Sequence, residues 1–229
     1  MSNQYSRTEL LIGKENVEKI KKAKVAIFGL GGVGSYAVEA LARVGIGHLV
    51  IVDYDQYDIT NINRQLGATH SSIGKYKVDV MKERILEINP NAIVETYRPD
   101  EIEGGEENII DSSFTYVVDA IDTMANKLKV IEKCQKENVK IITATGAGNK
   151  LDATKFEVAD IYKTSVCPVC KILRKELKQR NIKKLKVVYS KEIPKKPENG
   201  EKTLGSISFV PSVMGLIAAG EVIKDIISC

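Results

Sequence analysis

The sequence predicts an α/β fold, a Rossmann-like, doubly wound and mainly parallel sheet with a C-terminal elaboration. Three observations predict it. An apolar run, Val25–Phe28, leads into Gly29-x-Gly31-Gly32-x-Gly34 and then into a helical pattern. A second apolar run, Leu49–Val52, ends at Asp53, about twenty residues further on, where a carboxylate can accept hydrogen bonds from ribose hydroxyls. Strand-like and helix-like patterns then keep alternating, which is the order of parallel sheets covered on both faces.

Each element follows from its residues. The helix over 33–44 stops at Gly45, placed as a helix-ending glycine should be. After Asp53 an irregular stretch holds Gly67 and Gly74. A helix from about 75 to 88 carries Val78, Met81, Ile85 and Ile88 at helical spacing and is stopped by Asn89-Pro90. Strands are expected over 92–97, 116–119 and 140–145, with a helix over about 126–138 between the last two. The Gly146-Ala-Gly148 turn closes this regular half. Beyond it the patterns suit a strand over 156–161, a helix over 170–179, a strand over 186–189 and an amphipathic helix over 213–227. Residues 191–205, with two prolines, an Asn-Gly and several lysines, read as a mobile loop. The organisation expected is one domain over 1–229, with a nucleotide-binding half over 1–150 and a basic, substrate-facing elaboration over 151–229.

Composition narrows the function. With 43% hydrophobic residues the chain can bury a core. The N-terminal residues form no apolar leader pattern, and the run from Val213 to Ile227 is too short and too charged to span a bilayer. Four cysteines form no disulfide framework, so a cytoplasmic protein without a membrane is expected. The net charge of +4 is uneven. Residues 163–202 hold thirteen Lys and Arg against four acids, an excess of nine, which leaves the rest of the chain at −5. Such a basic block suits either a polyanion partner or a solvated lysine face.

The glycine turn alone fits NAD(P), FAD or a methyl donor as well as ATP. The downstream residues favour a triphosphate. Arg64 lies eleven residues past Asp53, in a segment that must cross the C-terminal ends of the strands, where ligands bind in such sheets. Lys77 opens the next helix, and Asp122 lies just past the fourth strand. Two cations and a carboxylate around a nucleotide suit phosphate neutralisation with a bound Mg²⁺.

At these residues the chain resembles a family, the ubiquitin-activating-like ThiF/MoeB/HesA adenylating enzymes. Within it the chain looks most like the tRNA threonylcarbamoyladenosine dehydratase branch. The matching segments are Ser6-Arg7-Thr8-Glu9 through Gly13, Gly29 through Tyr36, Glu39-Ala-Leu-Ala-Arg43 through Gly47, Asn61-Ile-Asn-Arg-Gln65, Ile73 through Lys77, Ile88-Asn-Pro90 and Val118 through Asp122. They span about the first 150 residues.

The resemblance implies ATP and Mg²⁺ as cofactors. It implies that Gly29, Gly31, Gly32, Gly34, Asp53, Asp55, Asn61, Asn63, Arg64, Lys77, Asp122 and Thr123 form the nucleotide site. Arg64, Lys77 and Asp122 would be catalytic, with Asp122 holding Mg²⁺. Arg7 would act in the partner's site, so a homodimer with shared sites is implied. The reaction implied is attack of a substrate carboxylate on the α-phosphate of ATP, a ligase-like activation. In the dehydratase branch that carboxylate belongs to threonylcarbamoyladenosine in tRNA, and the basic block would be the tRNA surface. The rival readings are activation of a sulfur-carrier or ubiquitin-like protein, with a possible sulfur-relay partner, and a nucleotide-sensing module without turnover. Cys167-Pro-Val-Cys170 is open between a zinc half-site, a thioester-forming thiol and two reduced cysteines in a loop, because the second cysteine pair of zinc-binding relatives is absent. His48 and His70 read as structural or exposed.

Overall fold

The computed structural model describes residues 3–196 and 203–228. Seven strands form one sheet in the order β3-β2-β1-β4-β5-β7-β6. They are β1 (Lys24–Phe28), β2 (His48–Val52), β3 (Ile93–Tyr97), β4 (Tyr116–Asp119), β5 (Lys140–Ala144), β6 (Phe156–Asp160) and β7 (Lys186–Ser190). All neighbouring pairs are parallel except β6 with β7. The helices are α1 (Ser6–Ile12), α2 (Lys14–Lys22), α3 (Gly34–Val44), α4 (Lys77–Ile88), α5 (Met124–Glu137), α6 (Pro168–Gln179) and α7 (Phe209–Ile227).

The strands are apolar on both faces, as burial under two helical layers requires. Ile27 and Ile51 pack with Val38, Leu41, Met81 and Met214 on one face, whereas Phe28 and Val52 pack with Leu128, Ile131 and Leu173 on the other. Chain order reverses between β1 and β4, and the register aligns Phe28 with both Val52 and Asp119. The residues that follow these strands therefore meet at one rim of the sheet, at the switch point where open α/β sheets bind ligands.

The structure adds to the expected elements and moves one boundary. The N-terminal matching segment, Ser6 to Gly13, forms α1, and α2 follows it. The helix over 213–227 begins a turn earlier, at Phe209, because Pro211 sits in the first turn, where no intrahelical N–H is needed. β7 lies between β5 and the antiparallel edge strand β6, so the two strands expected after residue 151 complete the same sheet.

α7 also returns to the first half, lying against α3. A Cβ on Gly215 would stand 2.2 Å from the carbonyl oxygen of Val33, so only glycine allows the two backbones this close. Of the expected loop at 191–205, residues 197–202 lie outside the described residues. Gly205 is tied to Asn149 by two hydrogen bonds, N–H to Oδ1 at 2.6 Å and Asn149 N–H to its carbonyl at 2.8 Å.

Candidate nucleotide site

The rim of the sheet opens into a cleft of about 570 Å³, a size usual for small-molecule sites. Gly29, Gly31 and Gly32 form one wall, with the first turn of α3 behind them. The N-terminal N–H groups of that helix make this end suited to phosphate. Gly34 does not line the cleft. A Cβ there would fall 1.7 Å from the carbonyl oxygen of Gly29, so this glycine serves the tightness of the turn rather than ligand contact.

Asp53 follows β2 and is 8% exposed. Its Oδ2 accepts from Leu30 N–H at 2.6 Å and its Oδ1 from Asp55 N–H at 2.8 Å. Burial lifts its carboxyl above the ordinary range, against the pull of Lys77 and of these two N–H groups. Lys77, at the start of α4 and 4% exposed, pairs with Asp55 at 2.6 Å and lies 3.8 Å from Asp53. This ammonium is thus fixed at the cleft by two carboxylates.

Arg64 lines the cleft from the crossing segment. Its guanidinium donates to the Thr60 carbonyl at 2.8 Å and to Asn63 Oδ1 at 2.9 Å. Asn61 also lines the cleft, within a 3₁₀ turn (Ile59–Asn61) in which its side chain accepts from Asp58 N–H and Asp58 accepts from Thr60 N–H. Asn63 lies outside the lining and acts one step back, donating to the Ser206 carbonyl at 3.0 Å. Asp122 is exposed and lines the cleft just past β4, while Thr123 next to it occupies the N-cap position of α5, makes no capping hydrogen bond and does not reach the cleft. Arg7 is exposed on α1 and stands apart from this chain's cleft.

Sequence reasoning missed four features. Lys127, 2% exposed, reaches both oxygens of the fully buried Asp119 at 2.9 Å and the Ala144 carbonyl at 3.1 Å, forming the cleft floor. A lysine on a helix ordinarily reads as surface, so only its apolar neighbours, Leu128 and Val130, hinted at burial. Glu106, in a short turn after β3, lines the cleft with a buried carboxyl; the surrounding Gly-Gly-Glu-Glu reads as an ordinary loop. Gln65 is buried against the cleft. Finally, Leu204, Gly205, Ser206 and Pro211 close the cleft from the far end of the chain, a contact with no local signature.

Cys167 and Cys170 do not lie in a loop. They stand at the cap and in the first turn of α6, both buried, with Cys167 Sγ 3.8 Å from Thr145 Oγ1. The Cys167 thiol is held well below the usual range, first by a hydrogen bond from Cys170, then by Thr145 and Lys150, against the effect of burial. Among the described residues no group of three or more His, Cys, Asp or Glu is arranged to hold a metal ion, and Cys229 lies outside them. His48 pairs with Glu95 at 2.5 Å and His70 is exposed. Among the described residues no helix is long and apolar enough to cross a membrane.

Comparison with known proteins agrees with this geometry. The model of the ThiF family matches residues 5–229. The tRNA threonylcarbamoyladenosine dehydratase of Bacillus subtilis (strain 168) is 43% identical over 243 residues, covering 99% of this chain and 96% of the relative. The crystal structure of Escherichia coli tRNA N6-threonylcarbamoyladenosine dehydratase, TcdA, in complex with AMP is similar with a TM-score of 0.89 and 31% identity, covering 98% of this chain and 94% of that one. The ATP complex of the same protein matches with a TM-score of 0.87, at the same identity and coverage.

Proposed function

This chain belongs to the ThiF family, and from that premise we propose that it is an ATP-dependent adenylating enzyme that dehydrates threonylcarbamoyladenosine in tRNA to its cyclic form. The observation that carries the reading is the convergence of Arg64, Lys77 and Asp122 on the cleft that also holds the glycine turn and Asp53.

The triphosphate lies along the glycine turn with its ribose hydroxyls on Asp53. Arg64 and Lys77 neutralise the phosphates, which matters because the attacking carboxylate and the α-phosphate are both anions. Asp122 offers a hard oxygen donor at the phosphate wall, fitting Mg²⁺, which would add charge neutralisation there. A carboxylate oxygen of the substrate forms a bond to the α-phosphorus as the bond to pyrophosphate breaks. An internal atom of the same substrate then attacks the activated carbonyl carbon. AMP leaves with the oxygen, the ring closes, and the net change in the substrate is loss of water.

Arg7 fits a role in the partner's cleft. No residue of α1 is buried, and Leu10 and Leu11 are 89% and 84% exposed, a surface suited to a second copy of the chain. A tRNA substrate suits an enzyme of the cytoplasm. The nucleotide half and the basic segment act within one domain.

The basic block supports tRNA over a carrier protein, with one refinement. Lys186 is bound to Asp225 at 2.6 Å and Glu221 at 3.4 Å, and Arg180 to Glu176 and Glu132, so these serve the fold. Lys171, Lys175 and Lys178 on α6, with Lys183 and Lys184 after it, are exposed and form the docking face.

The decisive measurement is pyrophosphate release from ATP–Mg²⁺ with bulk tRNA and, separately, with a sulfur-carrier protein. Release is expected with tRNA. Release only with the carrier protein would overturn the tRNA reading. In the same system Lys183→Ala with Lys184→Ala should flatten the salt dependence of tRNA affinity by about 1.4 to 1.8 log–log units, at about 0.7 to 0.9 per phosphate contact.

A further inference from the structure

Helix α6 joins two openings of the molecule. At its N-terminal end Val169 lines the nucleotide cleft. At its C-terminal end Lys178, with Tyr162, Asn181, Ile182 and Lys183, lines a second cavity of about 320 Å³. That volume is at the small end of the range for ligand sites. Nine helical steps separate Val169 from Lys178, about 14 Å along the axis. Between them Lys171, Lys175 and Lys178 recur at a spacing that puts all three on one exposed face. A line of cations thus runs from the cleft to the second cavity.

The cavity has the parts of a nucleotide seat. Tyr162 stands half-buried in the 3₁₀ turn after β6 (Ile161–Lys163), and its hydroxyl donates to the Ile182 carbonyl at 2.5 Å. The ring is therefore fixed in advance, which lowers the ordering cost of stacking a base on it. Lys178 Nζ lies 6.0 Å from the ring centroid, the outer limit of a cation–π contact, so this lysine keeps its freedom to meet a phosphate. Asn181, in the left-handed conformation at φ 56° where α6 ends, is exposed, and its amide offers both a donor and an acceptor to a base edge. Lys183 brings a second exposed cation to the cavity.

We propose that this cavity seats an unpaired nucleotide of the RNA substrate, a few positions along the strand from the one whose carboxylate enters the cleft. Its base stacks on Tyr162 and its phosphate meets Lys178 and Lys183. The intervening phosphates follow Lys175 and Lys171 towards the cleft. Unpaired RNA suits such a seat because its bases can leave the stack and lie on aromatic rings. A plain solvated lysine face needs neither an anchored ring nor a cavity at its end. This rests on the tRNA reading and extends it to the place where the strand is anchored.

The test is binding of bulk tRNA to the full chain, followed by fluorescence anisotropy over a range of salt concentrations. Tyr162→Leu removes the ring and keeps apolar bulk. Its affinity should fall about fivefold or more, the worth of one stacked base. Its salt slope should equal the wild type's, because no phosphate contact is lost. Tyr162→Phe keeps the ring and drops only the bond to Ile182, so it should bind tRNA as the wild type does. Lys178→Ala should instead flatten the slope by about 0.7 to 0.9 log–log units. ATP–Mg²⁺ affinity measured without RNA should match the wild type's in all three, since the two openings share no lining residue. Ultraviolet irradiation of the wild-type protein with bound tRNA should crosslink the peptide that carries Tyr162, a readout that depends on no variant. Undiminished affinity in Tyr162→Leu, an equal loss in Tyr162→Phe, or crosslinks confined to other peptides would overturn the seat while the tRNA reading stands. A wild-type protein that binds no tRNA would overturn both.

Discussion

The two parts of the sheet are built by different rules. From β1 to β5 each strand is followed by its crossover and pairs in parallel, and except at the switch between β1 and β4 the strands side by side are consecutive in the chain. From residue 156 onward the chain forms the antiparallel edge β6, turns through α6, inserts β7 beside β5, and then sends α7 back across the sheet to α3. The first region carries the glycine turn, Asp53, Lys77 and Asp122. The second supplies Pro211 and residues 204–206 to the same cleft. A site written almost wholly in the first half of the sequence thus depends for its closure on the second.

Substitutions in each region sharpen this contrast. The largest effect is expected in the first. Lys127→Met would leave Asp119 buried without its cation, at a cost of about 3–5 kcal/mol. Urea unfolding should show that loss, and adding Asp119→Leu should recover most of it. A loss that the double variant does not recover would show that Lys127 matters for something other than its pair.

In the second region Gly215→Val should cost about 1–3 kcal/mol by forcing α7 off Val33. Because Val33 borders the glycine turn, ATP affinity should weaken in parallel. A lower melting temperature with unchanged affinity would mean that the two regions act independently.

The smallest effect concerns the tie between them. Asp225 on α7 accepts from the Tyr116 hydroxyl of β4 at 2.7 Å and from Lys186 of β7 at 2.6 Å. Burial pushes its carboxyl up, but the bonds from Lys186 and Tyr116 outweigh that and hold it below the ordinary range. The folded form therefore binds this proton less readily than the unfolded chain. The stability it contributes is present above the unfolded value of about 3.9 and is lost as pH falls through the folded one. Asp225→Asn should cost about 1 kcal/mol near neutrality and flatten the acid side of a stability–pH curve. An acid side as steep as the wild type's would assign it to other carboxylates.

What could be read from the sequence follows the same division. Strands β1, β2 and β4, helix α3 and the residues Asp53, Asn61, Arg64, Lys77 and Asp122 were legible because each is defined within a single βα unit by apolar runs, glycines and a short polar motif. The place of β7 was not, since it enters out of chain order between β5 and β6, and strand order within a sheet leaves no periodic trace. Lys127 and Glu106 escaped for another reason. Charged side chains are buried only where the fold supplies a partner or a ligand, and neither is visible in a one-dimensional pattern. Gly34 and Thr123 were legible as motif positions but not in their roles, because a turn and a helix cap use the same residue types as a binding loop.

The contact of Gly215 with Val33 bears on how the molecule is born. Translation delivers β1 to β5 first, and those five strands can pair while the remainder is still within the ribosome. Their cleft would then lack the Pro211 wall and the helix that holds α3 in place. A nascent or prematurely terminated chain would carry the glycine turn, Arg64 and Lys77 around a cleft open on one side. Closure of the cleft thus arrives only with α7, the last element to be made.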